Sequence, residues 1–238
     1  MATASSALAT TFPPTSSYPF TAAEADRPTG TFRAPSLAAR HLYFRFEGIM
    51  VTYTAGYFVG SLAKASINRK LALALTHLAP SSLTLREISF KDLPMYSYDY
   101  DADYPAVARK FKEEIAAVDG VIFVTPEYNR SIPGALKNAI DWASRPYGTN
   151  AFTRKPSCTI GTSPGKIGTA VGQQHLRSIL AFCNSPQMNS IEAYIQFTPG
   201  LITDDGEVTN ADTKEFLRNY LSEFCNFIRR VKLALPPE

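Results

Sequence analysis

The sequence predicts a doubly wound α/β protein, a three-layer sandwich whose five-stranded parallel sheet runs in the order 2-1-3-4-5 with helices on both faces. Three observations carry this. From about Val51, β-branched and aromatic runs alternate with stretches of helical periodicity. One run, "VIFVTP" (121–126), is short and wholly apolar, as a parallel strand covered on both faces must be. A helical stretch separates each strand run from the next, and right-handed crossovers then place helices on both sides of the sheet.

The elements follow in order. "VTYTAGYFVG" (51–60) is β-branched and aromatic and breaks at Gly60, giving strand one. "NRKLALALTHLA" (68–79) places apolar residues at helical spacing and stops at Pro80. "LTLREISF" (83–90) alternates and suits an edge strand. "KDLPMYSYDYDADYP" (91–105) is polar, acidic and tyrosine-rich, and predicts a long loop. "AVARKFKEEIAAVDG" (106–120) is an amphipathic helix expected to end at Gly120, ahead of strand three. The helix "GALKNAIDWAS" (134–144) is followed by a polar insert around Pro146–Lys155. "PSCTIGTSP" (156–164) gives strand four, "TAVGQQHLRSILAFC" (169–183) a helix, and "NSIEAYIQF" (189–197) strand five. "ADTKEFLRNYLSEFCNFIRRVKLAL" (211–235) closes the chain as a long helix.

At 238 residues with 45% hydrophobic content the chain can bury one sizeable core and carry an appendage. A formal net charge of +3 gives no electrostatic case for nucleic acid or a membrane surface. No stretch approaches the ~18 consecutive apolar residues of a membrane span. Cys158, Cys183 and Cys225 are odd in number and widely spaced, which excludes a disulfide framework and a CxxC site and points to a reducing compartment. His41, His77 and His175 show no ligand spacing, so no structural metal is expected. Residues 1–49 differ from 50–238: "MATASSALATTFPPTSSYPFTAA" carries no charged side chain, and Arg27, Arg33, Arg40 and Arg45 follow. A disordered extension with Met50 opening the folded domain is preferred to an organellar transit segment, because no amphipathic Arg-bearing helix stands near the terminus.

Two loops carry the chemistry. In a doubly wound sheet, ligands sit outside the carboxyl ends of the strands at the switch in strand order, here between strands one and three. "GSLAKASINR" (60–69) follows strand one and offers Ser61, Ser66 and Asn68 as neutral donors, Lys64 as a cation, and free helix-end amides around Ile67. That set suits a phosphate, although it matches neither GxxxxGK[ST] nor GxGxxG, and ordinary N-capping would use the same residues. "TPEYNRSIPGALKNAIDW" (125–142) follows strand three. Pro126 and Pro133 stiffen it, Gly134 leaves room above the next helix, and Tyr128 adds an aromatic face beside a backbone able to read a flat heterocycle.

Together these loops resemble the NADPH-dependent FMN reductase family, and among its members the bacterial soluble chromate/quinone reductases. The similarity continues through "TSPGKIGTA", "HLRSIL" and "FIRRVK", over about residues 55–233. The resemblance implies a flavodoxin-like fold, bound FMN, NAD(P)H as electron donor, a quinone-like acceptor with adventitious chromate or azo-dye reduction, and a homodimer or homotetramer in the cytoplasm. It implies that Ser61, Ser66, Asn68 and the amides around Ile67 hold the FMN phosphate. Pro126, Glu127, Tyr128 and Asn129 would line the isoalloxazine ring, largely through main-chain groups, and Ser163 would border the flavin from the loop after strand four. No side chain is expected to act as a catalytic acid or base. Two departures stand out. Ala63 occupies a position where many members carry Arg, leaving Lys64 to supply charge, and Thr169 replaces the second of two glycines and is expected to narrow that side of the site. Trp142 is expected in the core or a subunit contact, His175 on a helix surface, Asp99, Asp101 and Asp103 in a solvated loop, and Cys158 in an inert buried position.

Overall fold

Strands that are all joined by crossovers end up parallel, and this chain follows that rule. The computed structural model describes residues 51–235. The expectation for residues 1–49 falls outside that range. Strands β1 (Tyr53–Val59), β2 (Leu83–Glu87), β3 (Gly120–Val124), β4 (Ser157–Ser163) and β5 (Ala193–Gln196) form one sheet in the order β2-β1-β3-β4-β5. Every neighbouring pair is parallel. Helices α1 (Ile67–Leu78), α2 (Ala106–Ala116), α3 (Gly134–Ser144), α4 (Ala170–Phe182) and α5 (Ala211–Ala234) cover it.

The two-residue period of a strand divides the core in two. Ala55, Tyr57, Val59, Ile122 and Val124 face α1 and α5. Phe58, Val121 and Phe123 face α2, α3 and α4, with Phe58 stacked on Phe123 at 4.9 Å between ring centroids.

Gly120 corrects the predicted end of α2. The helix stops at Ala116, and Gly120 opens β3 opposite Ala55. A Cβ there would lie 3.0 Å from Ile228, so the glycine lets α5 close onto the sheet rather than breaking a helix. Strands two and five, the edges of the sheet, are also shorter than the patterns suggested, spanning Leu83–Glu87 and Ala193–Gln196.

The 91–105 loop is not solvated throughout. Fully buried Trp142 donates its indole N–H to the Pro94 carbonyl at 2.7 Å, and the rings of Tyr96, Tyr100 and Tyr104 surround it at 5.1, 5.4 and 5.2 Å. The loop carries a short 3₁₀ turn at Tyr98–Asp101, and Asp101 accepts from the Tyr96 hydroxyl at 2.9 Å. Burial, reinforced by Asp101, pushes the Tyr104 phenol well above its ordinary range.

At the carboxyl edge β4 outruns β3. The Thr125 N–H donates to the Ile160 carbonyl at 2.9 Å as the last rung, and two residues later Thr162 has no strand beside it on that side. Asn68 takes the strand's place. Its side-chain amide donates to the Thr162 carbonyl at 2.9 Å and its Oδ1 accepts from the Thr162 N–H at 3.0 Å, with the residue 1% exposed. Thr162 in turn donates its hydroxyl to the Ile195 carbonyl at 2.9 Å.

Asn68→Ala should strand two buried backbone groups at about 1–3 kcal/mol each. Thermal unfolding should therefore show a loss of several kcal/mol, read as a clear drop in Tm. A variant within experimental error of the wild type would mean that the β4 edge satisfies itself.

Candidate functional site

Parallel strands deliver all their carboxyl ends, and the amino ends of the following helices, to one edge of the sheet. The loops after β1, β3 and β4 therefore meet, and glycines set how closely. Gly60 donates its N–H to the Val124 carbonyl at 2.8 Å, and a Cβ there would stand 2.9 Å from Thr125 Oγ1. At Gly161 a Cβ would fall 2.1 Å from the Thr125 carbonyl oxygen. No side chain fits between these backbones.

The 60–66 loop presents the anion-binding groups. Ser66 caps α1, its Oγ accepting from the Arg69 N–H at 3.2 Å. A hydroxyl that accepts still has its own proton to donate. Ser61 is buried, with Oγ accepting from the Ala63 N–H at 3.4 Å. The N–H groups of Ile67 and Asn68 are the first two of the helix and have no intrahelical partner. The Asn68 side chain is engaged with Thr162 through Oδ1 and one of its two Nδ2 hydrogens, so its second Nδ2–H and its backbone amide are the donors left for a ligand. Lys64 is exposed and stands outside every ion pair among the described residues, whereas Arg69 is committed to a bidentate pair with Glu87 at 3.0 and 2.9 Å.

Helix dipoles add to this. None of α1, α3 and α4 carries an acidic residue in its first turn. Three partially positive helix ends therefore face one crevice without compensation from their own residues.

The 125–133 loop is rigid for reasons beyond its prolines. Tyr128 and Ser131 exchange backbone hydrogen bonds at 2.9 and 3.0 Å around Asn129 (φ 52°) and Arg130 (φ 65°). Two consecutive left-handed residues make a type I′ turn, which suits Asn but is unusual for Arg. Pro126 is buried, Asn129 exposed and the Tyr128 ring about half exposed. The Glu127 carboxylate turns inward, accepting from the Gly172 N–H in the first turn of α4 at 3.0 Å and pairing with Arg130 at 3.3 Å. Sequence reasoning gave no sign of that contact. A Cβ on Gly134 would meet nothing within 4 Å, so the space above α3 is open.

The third loop is closed by its own hydroxyl. Ser163 donates to the Gly168 carbonyl, with the Gly165 carbonyl at 3.3 Å, so its side chain stitches the 163–168 turn. Thr169 does not narrow the crevice as expected. It is fully buried against Gly161 and accepts from Gln173 Nε2 at 2.9 Å. The absence of a side chain at Gly161 is what admits it. His175 is exposed with Nδ1 3.2 Å from the Ser131 hydroxyl. Cys158 is fully enclosed, and burial pushes its thiol far above the range in which a thiolate forms.

This donor set fits a phosphate monoester attached to a flat polar heterocycle, as FMN is. Hydroxyls, two free amides and an unpaired lysine gather at α1, and a stiff main-chain edge faces them from β3.

Comparison with known proteins agrees. The family model for NADPH-dependent FMN reductases matches residues 54–199. A 2-hydroxy-1,4-benzoquinone reductase from a Burkholderia species is 47% identical over 171 residues, covering 72% of this chain and 93% of that protein. A quinone reductase of Pseudomonas putida is 45% identical over 178 residues, covering 74% and 95%. The solved structure of FerB, a flavoenzyme NAD(P)H:(acceptor) oxidoreductase from Paracoccus denitrificans, matches at a TM-score of 0.72 and 42% identity, covering 75% of this chain and 98% of that one. The chain belongs to the NADPH-dependent FMN reductase family.

Proposed function

We infer that this protein is an FMN-dependent NAD(P)H oxidoreductase that reduces quinones, with chromate, azo dyes and free flavin as adventitious acceptors. The observation that carries the reading is the meeting of an uncompensated anion site at α1 with the rigid 126–131 turn at one switch point. Bound FMN would supply the two-electron chemistry, accepting hydride from the nicotinamide and delivering it to the quinone.

The protein's part is placement. Ser61, Ser66 and the amides of Ile67 and Asn68 would hold the phosphate, with Lys64 as a nearby charge. Main-chain groups of Pro126, Glu127, Tyr128 and Asn129 would lie along the ring, and the backbone around Ser163 would close the third side. Only a side chain already fixed in place can position a ligand without further ordering cost, and the turn and cap hydrogen bonds supply that fixity.

A flavodoxin-type one-electron carrier is disfavoured by the formal net charge of +3, since such carriers usually dock through an acidic surface. We propose the cytoplasm as the site of action, or an organelle if residues 1–49 are a transit segment ahead of the 50–238 domain. Among the described residues no helix is long and apolar enough to cross a membrane.

A homodimer or homotetramer is part of the same proposal. Trp142 is buried and gives α3 no exposed aromatic surface. Phe182 and Tyr147, 92% and 90% exposed, flank a groove of about 690 Å³ between α3 and α4, and Met95 and Tyr98 protrude from the 91–105 loop. Aromatic residues left in water at a groove are typical of interfaces. Sedimentation at micromolar concentration should give a dimer or larger, and Phe182→Asp should shift it toward monomer.

The purified protein should be yellow, with FMN released on denaturation. Rapid mixing with NADPH or NADH should bleach it, and a quinone should restore the colour. A colourless protein that takes up no added FMN would remove the basis of the reading.

Within the phosphate loop, Ser66→Ala should weaken FMN binding more than Lys64→Ala. The serine loses a hydrogen bond to a charged group, about 1.5–3 kcal/mol, and also the α1 cap, whereas an exposed lysine contributes on the order of 1 kcal/mol or less. Only the lysine variant should lose part of the salt dependence. Titration of the two apo-variants at low and high salt decides between them.

A further inference from the structure

We propose that Glu127 is a positioning residue for the flavin: its carboxylate helps clamp the 126–131 turn onto the first turn of α4 and supplies a negative charge that the helix's own first turn lacks. The inference rests on the FMN reading above and deepens it.

Glu127 stands inside the loop that would face the heterocycle, yet its side chain is only 10% exposed and is held by protein partners. One carboxylate oxygen accepts from the Gly172 N–H at 3.0 Å and the other pairs with Arg130 at 3.3 Å. Both partners need it. Helix α4 has no side-chain hydrogen bond from its own cap, Thr169, and no acidic residue in its first turn, so Glu127 supplies from another loop what the local sequence omits. Arg130 occupies a left-handed position of a type I′ turn where glycine is the usual residue, and its ion pair with Glu127 ties that turn to its own first residues.

Gly172 shows how close the fit is. A Cβ there would stand 2.9 Å from the Ser131 carbonyl oxygen and 3.3 Å from Glu127 Cγ. The turn thus lies directly on the helix, held by two polar contacts, the Glu127 carboxylate on the Gly172 N–H and Ser131 Oγ 3.2 Å from His175 Nδ1.

Two separable consequences follow. The hydrogen bonds hold the main-chain edge of residues 126–129 in register. The carboxylate, the negative half of the Glu127–Arg130 pair at that helix end, would disfavour added electrons on a bound flavin and hold its potential low. Glu127→Gln keeps an acceptor for Gly172 and removes the charge. Glu127→Ala removes both.

FMN titration and potentiometry of the wild type and both variants test this, with thermal unfolding and amide exchange on the apo-proteins. Glu127→Gln should bind FMN within a few-fold of the wild type while its bound flavin shifts to a higher midpoint potential. Glu127→Ala should bind FMN on the order of tenfold or more weakly, the range expected when a charged hydrogen bond is lost. In the apo form it should exchange faster at the Gly172 and Ser131 amides, with α5 unaffected. Alanine binding FMN as tightly as the wild type would overturn the clamp. A glutamine variant with unchanged potential would overturn the role of the charge, and that arm stands alone should the alanine variant fail to fold. A wild type that takes up no FMN would instead overturn the underlying functional reading.

Discussion

A parallel sheet that opens a crevice at its carboxyl edge must leave backbone groups without strand partners where the strands part. The Asn68–Thr162 pair answers this constraint. Asn68 offers one donor and one acceptor on a planar amide, which is what the next peptide of β3 would have offered had the strand continued. Because Asn68 is the second residue of α1, the same pair fixes the start of that helix against β4. The helix-end amides, the Ser66 cap and the end of strand four become one unit. Thr162 carries the connection on to β5 through its hydroxyl.

Around that anchor, the site is built by leaving things out. Gly60 and Gly161 allow the ends of β1, β3 and β4 to touch through backbone alone, Gly134 leaves the entrance to α3 clear, and three helices begin without an acid of their own. Positive helix ends next to a dry, stiff backbone suit an anion with a flat ring. They do so without a cluster of basic side chains, which agrees with a net charge near zero. The catalytic chemistry can then reside in the cofactor while the chain supplies geometry and field.

Much of the fold was legible because its signals are local. Periodicity switches between two and 3.6 at each element, and "VIFVTP" could be assigned to a central strand from its uniform apolarity. Errors arose where a residue has more than one use. Gly120 read as a helix terminator because glycine ends helices, but its function is to admit Ile228 and Phe224 of α5, more than a hundred residues away in sequence. The 91–105 stretch read as a polar loop because acids crowd it, while the rings of Tyr96, Tyr100 and Tyr104 close over Trp142.

The same division runs through the candidate site. The sequence by itself pointed to a location and a ligand chemistry: a helix starting straight after a strand presents free amides, and two prolines with a Glu-Tyr-Asn segment make a stiff edge. Which side chains are free to meet a ligand was decided only by tertiary structure. Asn68 is engaged with Thr162, Ser163 with Gly168, Thr169 with Gln173 and Glu127 with Gly172. A buried polar group must find a partner, and that partner is set by which strands and helices pack together rather than by its neighbours along the chain.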